Sequence, residues 1–187
     1  MIDTAVELIA ARGVRNFSLT EASRRLGVAP SAPYAHFADR DALLAAVAVH
    51  AYQRFHAELE PKMRRSAAPA ERLAGIARAY VRFAVAHRPL FEVLFEAGLD
   101  KRRHPEIAAA EQPIDDAFLD CVRALSERGE SEDLASAVEA TAHGHAMLLL
   151  DGRFGVGDEA VELASDRAAR ATLALVRGLT SAPGDAP

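Results

Sequence analysis

Apolar residues recur at helical spacing along almost the whole chain, and no stretch alternates apolar and polar with the period of a half-buried strand. In the first segment Ile2, Ala5, Val6, Ile9 and Ala10 share one side of a helix over about 2–12, and Gly13 supplies a C-terminal stop. A second, short helix follows Ser18. With Glu21 three residues on, Ser18 has the form of a capping box, in which the hydroxyl takes the N–H of residue 21 and the carboxylate returns to the N–H of residue 18. This helix ends at Gly27, and the turn Gly27-Val28-Ala29 leads to a third helical segment that begins at Pro30. Pro30 fits a first helical position and Pro33 still falls in the first turn, so both prolines mark a start without forbidding a helix. Asp39 caps a long helix over about 40–60, striped by Leu44, Val47, Ala48, Ala51, Phe55 and Leu59 and ended by Pro61.

Beyond the segment 61–70 (PKMRRSAAPA), helices are predicted over about 70–87, 89–97, 105–128, 132–153 and 158–179. On the first of these Leu73, Ile76, Ala77, Tyr80, Val81 and Ala84 share a face. Breaks fall at Arg88-Pro89, at Gly98 to Pro105, at Gly129 and at the glycine-rich run 152–157. The expected fold class is all-α. A three-helix head over 1–47 is followed by a connector helix to about 60, a larger helical body over 70–180 and a disordered tail over 181–187.

Half of the 187 residues are hydrophobic, enough to bury a real core. The net charge of −5 is unevenly divided, at +2 for residues 1–65 and −7 for residues 66–187. An acidic body keeps DNA away from itself and leaves contact to the first third. The single cysteine, Cys121, forms neither an intramolecular disulfide nor a cysteine-based zinc site. Beside Phe118, Leu119, Val122 and Leu125 it is expected as a small buried hydrophobe. No apolar run reaches the roughly 20 residues of a membrane span. Acids at Asp3 and Glu7 stand where a leader would be basic, so a cytoplasmic protein with no membrane partner is expected. His143, His145 and Asp151 invite a metal-site reading, but two histidines two apart on a helix point in different directions. With no HExxH, phosphate loop or Ser/His/Asp pattern, no catalytic residue, metal or cofactor is expected.

Two short helices joined by a tight turn form a helix–turn–helix pattern, and residues 2–47 add specific features to it. Ala5-x-Glu7-Leu8 is followed by Gly13, and the capped second helix ends Leu26-Gly27-Val28. Then come Tyr34-x-His36-Phe37 and Asp39-Arg40-x-x-Leu43-Leu44. The whole stretch resembles, without a gap, the DNA-binding domain of the TetR family of transcriptional regulators. The resemblance implies a homodimer that sets the third helix of each subunit into successive major grooves of a near-palindromic operator. It places Ser18 and Thr20 at a helix N-terminus suited to a phosphate. Ser31, Tyr34 and His36 fall on the backbone or a base edge, and Pro30 and Ala32 offer methyl contacts. Arg40 is expected on a phosphate across the groove, so that Arg40→Ala flattens the salt dependence of binding. Phe37 is expected to pack against Phe17, Leu26 and Leu43. Tyr34 and His36 equally suit a half-buried polar cluster. Two departures stand out. The basic arm that often precedes the first helix has no counterpart ahead of Ile2, and the third helix holds no Arg, Lys, Asn or Gln, so modest specificity is expected.

In the body, 87–98 (HRPLFEVLFEAG) and 143–152 (HGHAMLLLDG) resemble a C-terminal subclass of these regulators marked by a Trp shortly before a His-Gly pair. His143-Gly144 is present and the chain has no Trp. This resemblance implies an effector-binding and dimerisation domain. Phe83, Phe91, Phe95, Phe118 and Met147 would line a cavity with His143 as polar handle. The same residues equally suit an ordinary core. Ala135, Ala137, Ala140 and Gly144 on one helix, and Ala164, Ala168 and Ala171 with Leu175 on the next, let helices approach closely across a dimer or within one subunit. The functional expectation is a repressor released from double-stranded operator DNA by a small-molecule effector of unknown identity. The alternative is a helical dimeric adaptor that binds another protein and has weak DNA specificity.

Overall fold

The computed structural model describes residues 1–61, 68–126 and 131–180. The expected tail 181–187, the break at Gly129 and residues 62–67 of the linker lie outside them. The regular elements among the described residues are all helical. They are α1 (Ile2–Arg12), a 3-10 turn (Val14–Asn16), α2 (Leu19–Leu26), a second 3-10 turn (Ala32–Ala35), α3 (Arg40–Leu59), α4 (Pro69–Ala86), α5 (Arg88–Glu96), α6 (Pro105–Arg123), α7 (Ser131–Leu150) and α8 (Asp158–Thr180).

The chain divides into two compact units, Met1–Phe55 with His87–Pro113, and His56–Ala86 with Ile114 onward. The division is not linear in sequence because α5 packs on α1 and on the first 3-10 turn. Its Leu90, Phe91 and Val93 are buried. The core of this unit also holds Ala5, Leu8 and Ile9 of α1, Val14, Phe17, Leu19 and Ala22, and Leu43, Leu44, Val47 and Ala51 of α3. The inward face of α1 is therefore rotated from the expected one, with Leu8 inside and Ala10 exposed. Gly13 ends α1 at φ 76°, where a Cβ is disfavoured, and its N–H donates to the Ile9 carbonyl at 2.7 Å. Three residues within this unit form a cross-link. The Tyr52 hydroxyl donates to Glu111 Oε1 at 2.7 Å, Lys101 pairs with Glu111 Oε2, and the Lys101 ammonium lies 5.9 Å from the Tyr52 ring centroid.

In the second unit α4, α7 and α8 pack on one another. Leu73, Ile76, Val81 and Phe83 meet Leu134, Val138, Ala142 and Ala146 of α7 and the alanines of α8 in a core of mixed large and small side chains. Ser165 and Thr172, buried on α8, donate to their own helix at Glu162 O (3.1 Å) and Ala168 O (3.0 Å), so neither hydroxyl is left unpaired. Cys121 is buried as expected; its thiol donates to Ala117 O at 3.2 Å, and burial pushes its pKa up. Two helices stop earlier than expected. α6 closes at Arg123, where the N–H groups of Leu125 and Ser126 both turn back to Val122 O. α7 closes at Leu150, because Gly152 takes φ 75° and its N–H returns to Leu149 O. Among the described residues no helix is long and apolar enough to cross a membrane.

Candidate nucleic-acid interface and helical body

The head is organised by the ends of α2. Ser18 is extended, and its Oγ accepts the Glu21 N–H at 3.2 Å. Only this half of the expected capping box forms. The Glu21 carboxylate turns to Arg24 (3.0 and 2.7 Å) and to Arg12 (3.3 Å), bracing α2 against the end of α1. The hydrogen bond from Arg24 is the largest cause holding the Glu21 carboxyl below its ordinary value of 4.5. A depressed carboxylate pKa stabilises the folded head above that value, and the stabilisation is lost as pH falls through the folded pKa. Thermal melts should therefore show a loss of head stability on acidification below about pH 4.5, smaller in Glu21→Gln. An identical acid response in the variant would show that Glu21 has no such role. At the other end Gly27 is left-handed at φ 67°. Its N–H reaches Arg24 O at 3.2 Å and the Val28 N–H reaches Ser23 O at 3.1 Å, so α2 ends sharply and the next residues leave the helix axis.

The next element differs from expectation. In place of a helix beginning at Pro30, the chain makes one 3-10 turn, Ala32–Ala35, with Ser31 before it. The N–H of Ala32 donates to Ala29 O (2.9 Å), that of Tyr34 to Ser31 O (3.2 Å), and those of His36 and Phe37 to Pro33 O (2.9 Å each). Pro33 has no N–H to return to Ala29 O, and its ring would crowd that carbonyl in an α-helix; the Ala29 carbonyl takes the Ala32 N–H and the Tyr34 N–H bonds Ser31 O, as in the tighter turn. Pro33 is buried and pins the turn. Pro30, Ser31, Ala32, Tyr34 and His36 are all exposed, as are Ser18 and Thr20 at the start of α2. Tyr34 is 57% exposed. Of the residues expected beside Phe37, Leu26 is 41% exposed, whereas Phe17 and Leu43 are buried.

Arg40 opens α3 with its guanidinium turned inward. Nη2 donates to Val14 O at 2.7 Å, Nε to Phe17 O at 3.1 Å, and Nη1 meets Asp41 at 3.2 Å. Asp39 caps the same helix, accepting the Ala42 N–H at 2.8 Å. Arg25 pairs with Glu7 at 3.0 Å, so Arg12, Arg24, Arg25 and Arg40 all have partners within the head. Arg15 is exposed and has no side-chain partner among the described residues. Sequence reading missed the Arg40 tether because its carbonyl partners lie 23 and 26 residues away.

The expected effector residues fall in both units. In the first, Phe91 is buried and Phe95 is 47% exposed, with ring centroids 4.7 Å apart on α5. In the second, Phe83 and Phe118 are buried, and His143 Nδ1 lies 2.8 Å from the Tyr80 hydroxyl. Met147 follows one turn later on α7 and is half-buried. Tyr80 was visible in the sequence only as a member of an otherwise apolar face. Burial first, and then the Glu139 charge, push its phenol pKa well up, so the hydroxyl stays protonated beside the imidazole. His145 points elsewhere, with Nδ1 2.8 Å from Thr141 O and its ring stacked on Phe154.

The small residues of the last two helices separate into two sets. Ala164 and Ala168 are fully buried inside the unit. Ala140, Gly144 and Leu148 of α7, with Ala171, Leu175 and Gly178 of α8, line an open, mostly apolar groove of about 720 Å³. A Cβ built on Gly144 would meet nothing within 4 Å.

A capped helix, a left-handed glycine and an exposed 3-10 turn stand where the helix–turn–helix pattern was expected, in a chain that also holds a helical body. The family model for bacterial regulatory proteins of the tetR family matches residues 1–47, and that for the tetracyclin repressor-like C-terminal domain matches residues 73–172. The chain belongs to the TetR family. It is a DNA-binding transcriptional regulator, and regulators of this family are not enzymes. No curated protein matches it significantly. Among solved structures, a protein of unknown function from Rhodococcus sp. RHA1 is 31% identical, covering 90% of this chain and 91% of that one at a TM-score of 0.66. The TetR regulator PfmR from Thermus thermophilus is 18% identical (90% and 96% covered, TM-score 0.69). AibR, solved in complex with isovaleryl coenzyme A and operator DNA, is 19% identical (90% and 93% covered, TM-score 0.70). The last two likenesses show the fold.

Proposed function

We propose that this protein is a homodimeric, cytoplasmic repressor that holds a palindromic operator and is released by a small-molecule effector. The observation that carries the reading is the segment from Val28 to His36, exposed except at Pro33 and presented beside a capped α2 in a sequence matched by the family's DNA-binding domain. Ser18 and Thr20 lie at the α2 N-terminus, where free N–H groups and the helix dipole favour a phosphate. Pro30, Ser31, Ala32, Tyr34 and His36 form the surface offered to the major groove, with Arg40 as the strut that fixes the start of α2.

The second copy is assigned to the α7–α8 groove. A glycine inside a helix costs about 1 kcal/mol relative to alanine. Nothing among the described residues excludes a Cβ at Gly144, so the missing methyl serves close approach by a second copy. A second copy of the same groove, related by a two-fold axis, matches its small and apolar lining. For the effector, the Tyr80–His143 pair supplies a polar anchor and Met147 an adaptable apolar neighbour. Tyr52, Glu111 and Lys101 join α3 to α6, so a ligand that displaces α6 pulls on the helix that begins at the reading head. AibR, with its acyl-coenzyme A and operator DNA, is a precedent for both ligands on this fold.

The exposed apolar side chains of the head also support the second reading, an adaptor surface for another protein. A titration of the full chain against the intergenic duplex beside its own gene separates the two. The repressor reading predicts binding that weakens steeply with salt and engages two chains per site. Binding no tighter than to a scrambled duplex would favour the adaptor.

A further inference from the structure

Between Leu26 and Ala38 the chain has no carboxylate, and no Arg, Lys, Asn or Gln to make a bidentate bond to a base. Apart from Ser31 and His36, the side chains it exposes there are largely apolar. Leu26 is 41% exposed, Val28 42% and Tyr34 57%, with Pro30 and Ala32 exposed between them. Side chains of this size turned to water on a small head mark a binding surface. Arg24 and Arg25 stand immediately beside it, exposed and paired with Glu21 and Glu7. In the major groove the one apolar group on a base edge is the C5 methyl of thymine.

From this match we infer that the head selects its half-site chiefly by packing Val28, Pro30, Ala32 and the Tyr34 ring against thymine methyl groups. Hydrogen bonds from Ser31 and His36 act as the lesser part. Proline and alanine suit the task physically. They are short, so the backbone of the turn can lie close to the base edges, and a ring locked at φ near −65° loses no rotamer freedom on binding. Pro30, Ala32 and Tyr34 are all exposed, Ala32 and Tyr34 on the 3-10 turn and Pro30 two residues ahead of it. The expected site is therefore rich in thymine on the strand facing the turn, and the discrimination resides in methyl groups.

The inference rests on the DNA-binding reading above, and its test separates the two. The full-length chain is used to select duplexes from a random library. The selected duplex is then made with thymine and with uracil at each half-site position, a change that removes one methyl and no hydrogen bond and leaves the protein untouched. Each contacted methyl should be worth about fourfold in affinity, the equivalent of burying one CH2, and a symmetric pair about 15-fold. 5-Methylcytosine in place of cytosine at a contacted position should recover part of the loss caused by a thymine-to-cytosine change. Val28→Ala, checked for its fold by circular dichroism, should lower the thymine-over-uracil ratio. Sequence-selective binding that is indifferent to uracil at every position would overturn the inference and leave the repressor reading intact. A library from which no sequence is enriched would overturn both.

Discussion

Ala171→Arg is expected to leave the chain folded, to make it monomeric, and to lower its affinity for a palindromic duplex by about 10²–10⁴-fold. Two faces of α8 decide this. Ala164 and Ala168 face inward and are fully buried, so a large side chain there would break the packing of α8 on α4 and α7. Ala171 lines the open groove, where an arginine is solvated in the single chain but would be trapped unpaired against a second copy. A monomer engages one half-site at a time and loses the effective concentration that the second head supplies. Sedimentation velocity and fluorescence anisotropy read the two effects, and circular dichroism reads the fold. A dimer that persists with unchanged affinity would place the second copy on another surface. Gly144→Ala is the milder companion. It removes the helix penalty of about 1 kcal/mol and meets nothing among the described residues, yet it should weaken association.

Arg40→Ala should destabilise the head by about 2 kcal/mol and weaken binding to every DNA sequence without changing the salt slope. A charged donor bonded to a carbonyl contributes about 1.5–3 kcal/mol, and here two such bonds act at a side chain 36% exposed, which discounts their sum. Val14 and Phe17, whose carbonyls they hold, lead directly into Ser18, so their release displaces the start of α2. A phosphate contact would act differently, since losing it flattens the dependence of log K on log salt by about 0.9. Arg40→Lys sharpens the choice. A lysine supplies a point charge to a phosphate but cannot span two carbonyls with fixed geometry. The strut role predicts that it fails to restore affinity, and full restoration with an intact slope would return Arg40 to the phosphate contacts.

Local chemistry was legible in the sequence and long-range pairing was not. The Ser18 cap, the glycine stops at 13 and 27 and the Asp39 cap each depend on residues within four positions, and each appears where the pattern put it. The Glu21 carboxylate is a partial failure of the same logic, because two arginines compete with the backbone N–H for it. The 3-10 turn follows from weighing the two prolines together. Pro30 costs no helical bond at a first position, whereas Pro33 removes the first one and crowds the Ala29 carbonyl, which instead accepts the Ala32 N–H. Non-local placements had no signal of their own. The packing of α5 on α1, the reach of Tyr52 to Glu111 across 59 positions and the inward turn of Arg40 are settled only when the helices meet. In the body, the alanines of α8 looked alike, and only burial separates those that hold the chain together from those that face the groove.

Mapping the sites bound by the full-length protein across the genome of its own cell tests the central claim most directly. The expected result is a small set of discrete sites, each an inverted repeat whose half-sites are separated by one helical turn of about 34–36 Å or a multiple of it. Occupancy at those sites should fall together when the effector of the neighbouring genes accumulates. Uniform binding with no enriched repeat, or repeats whose occupancy survives Ala171→Arg, would contradict it.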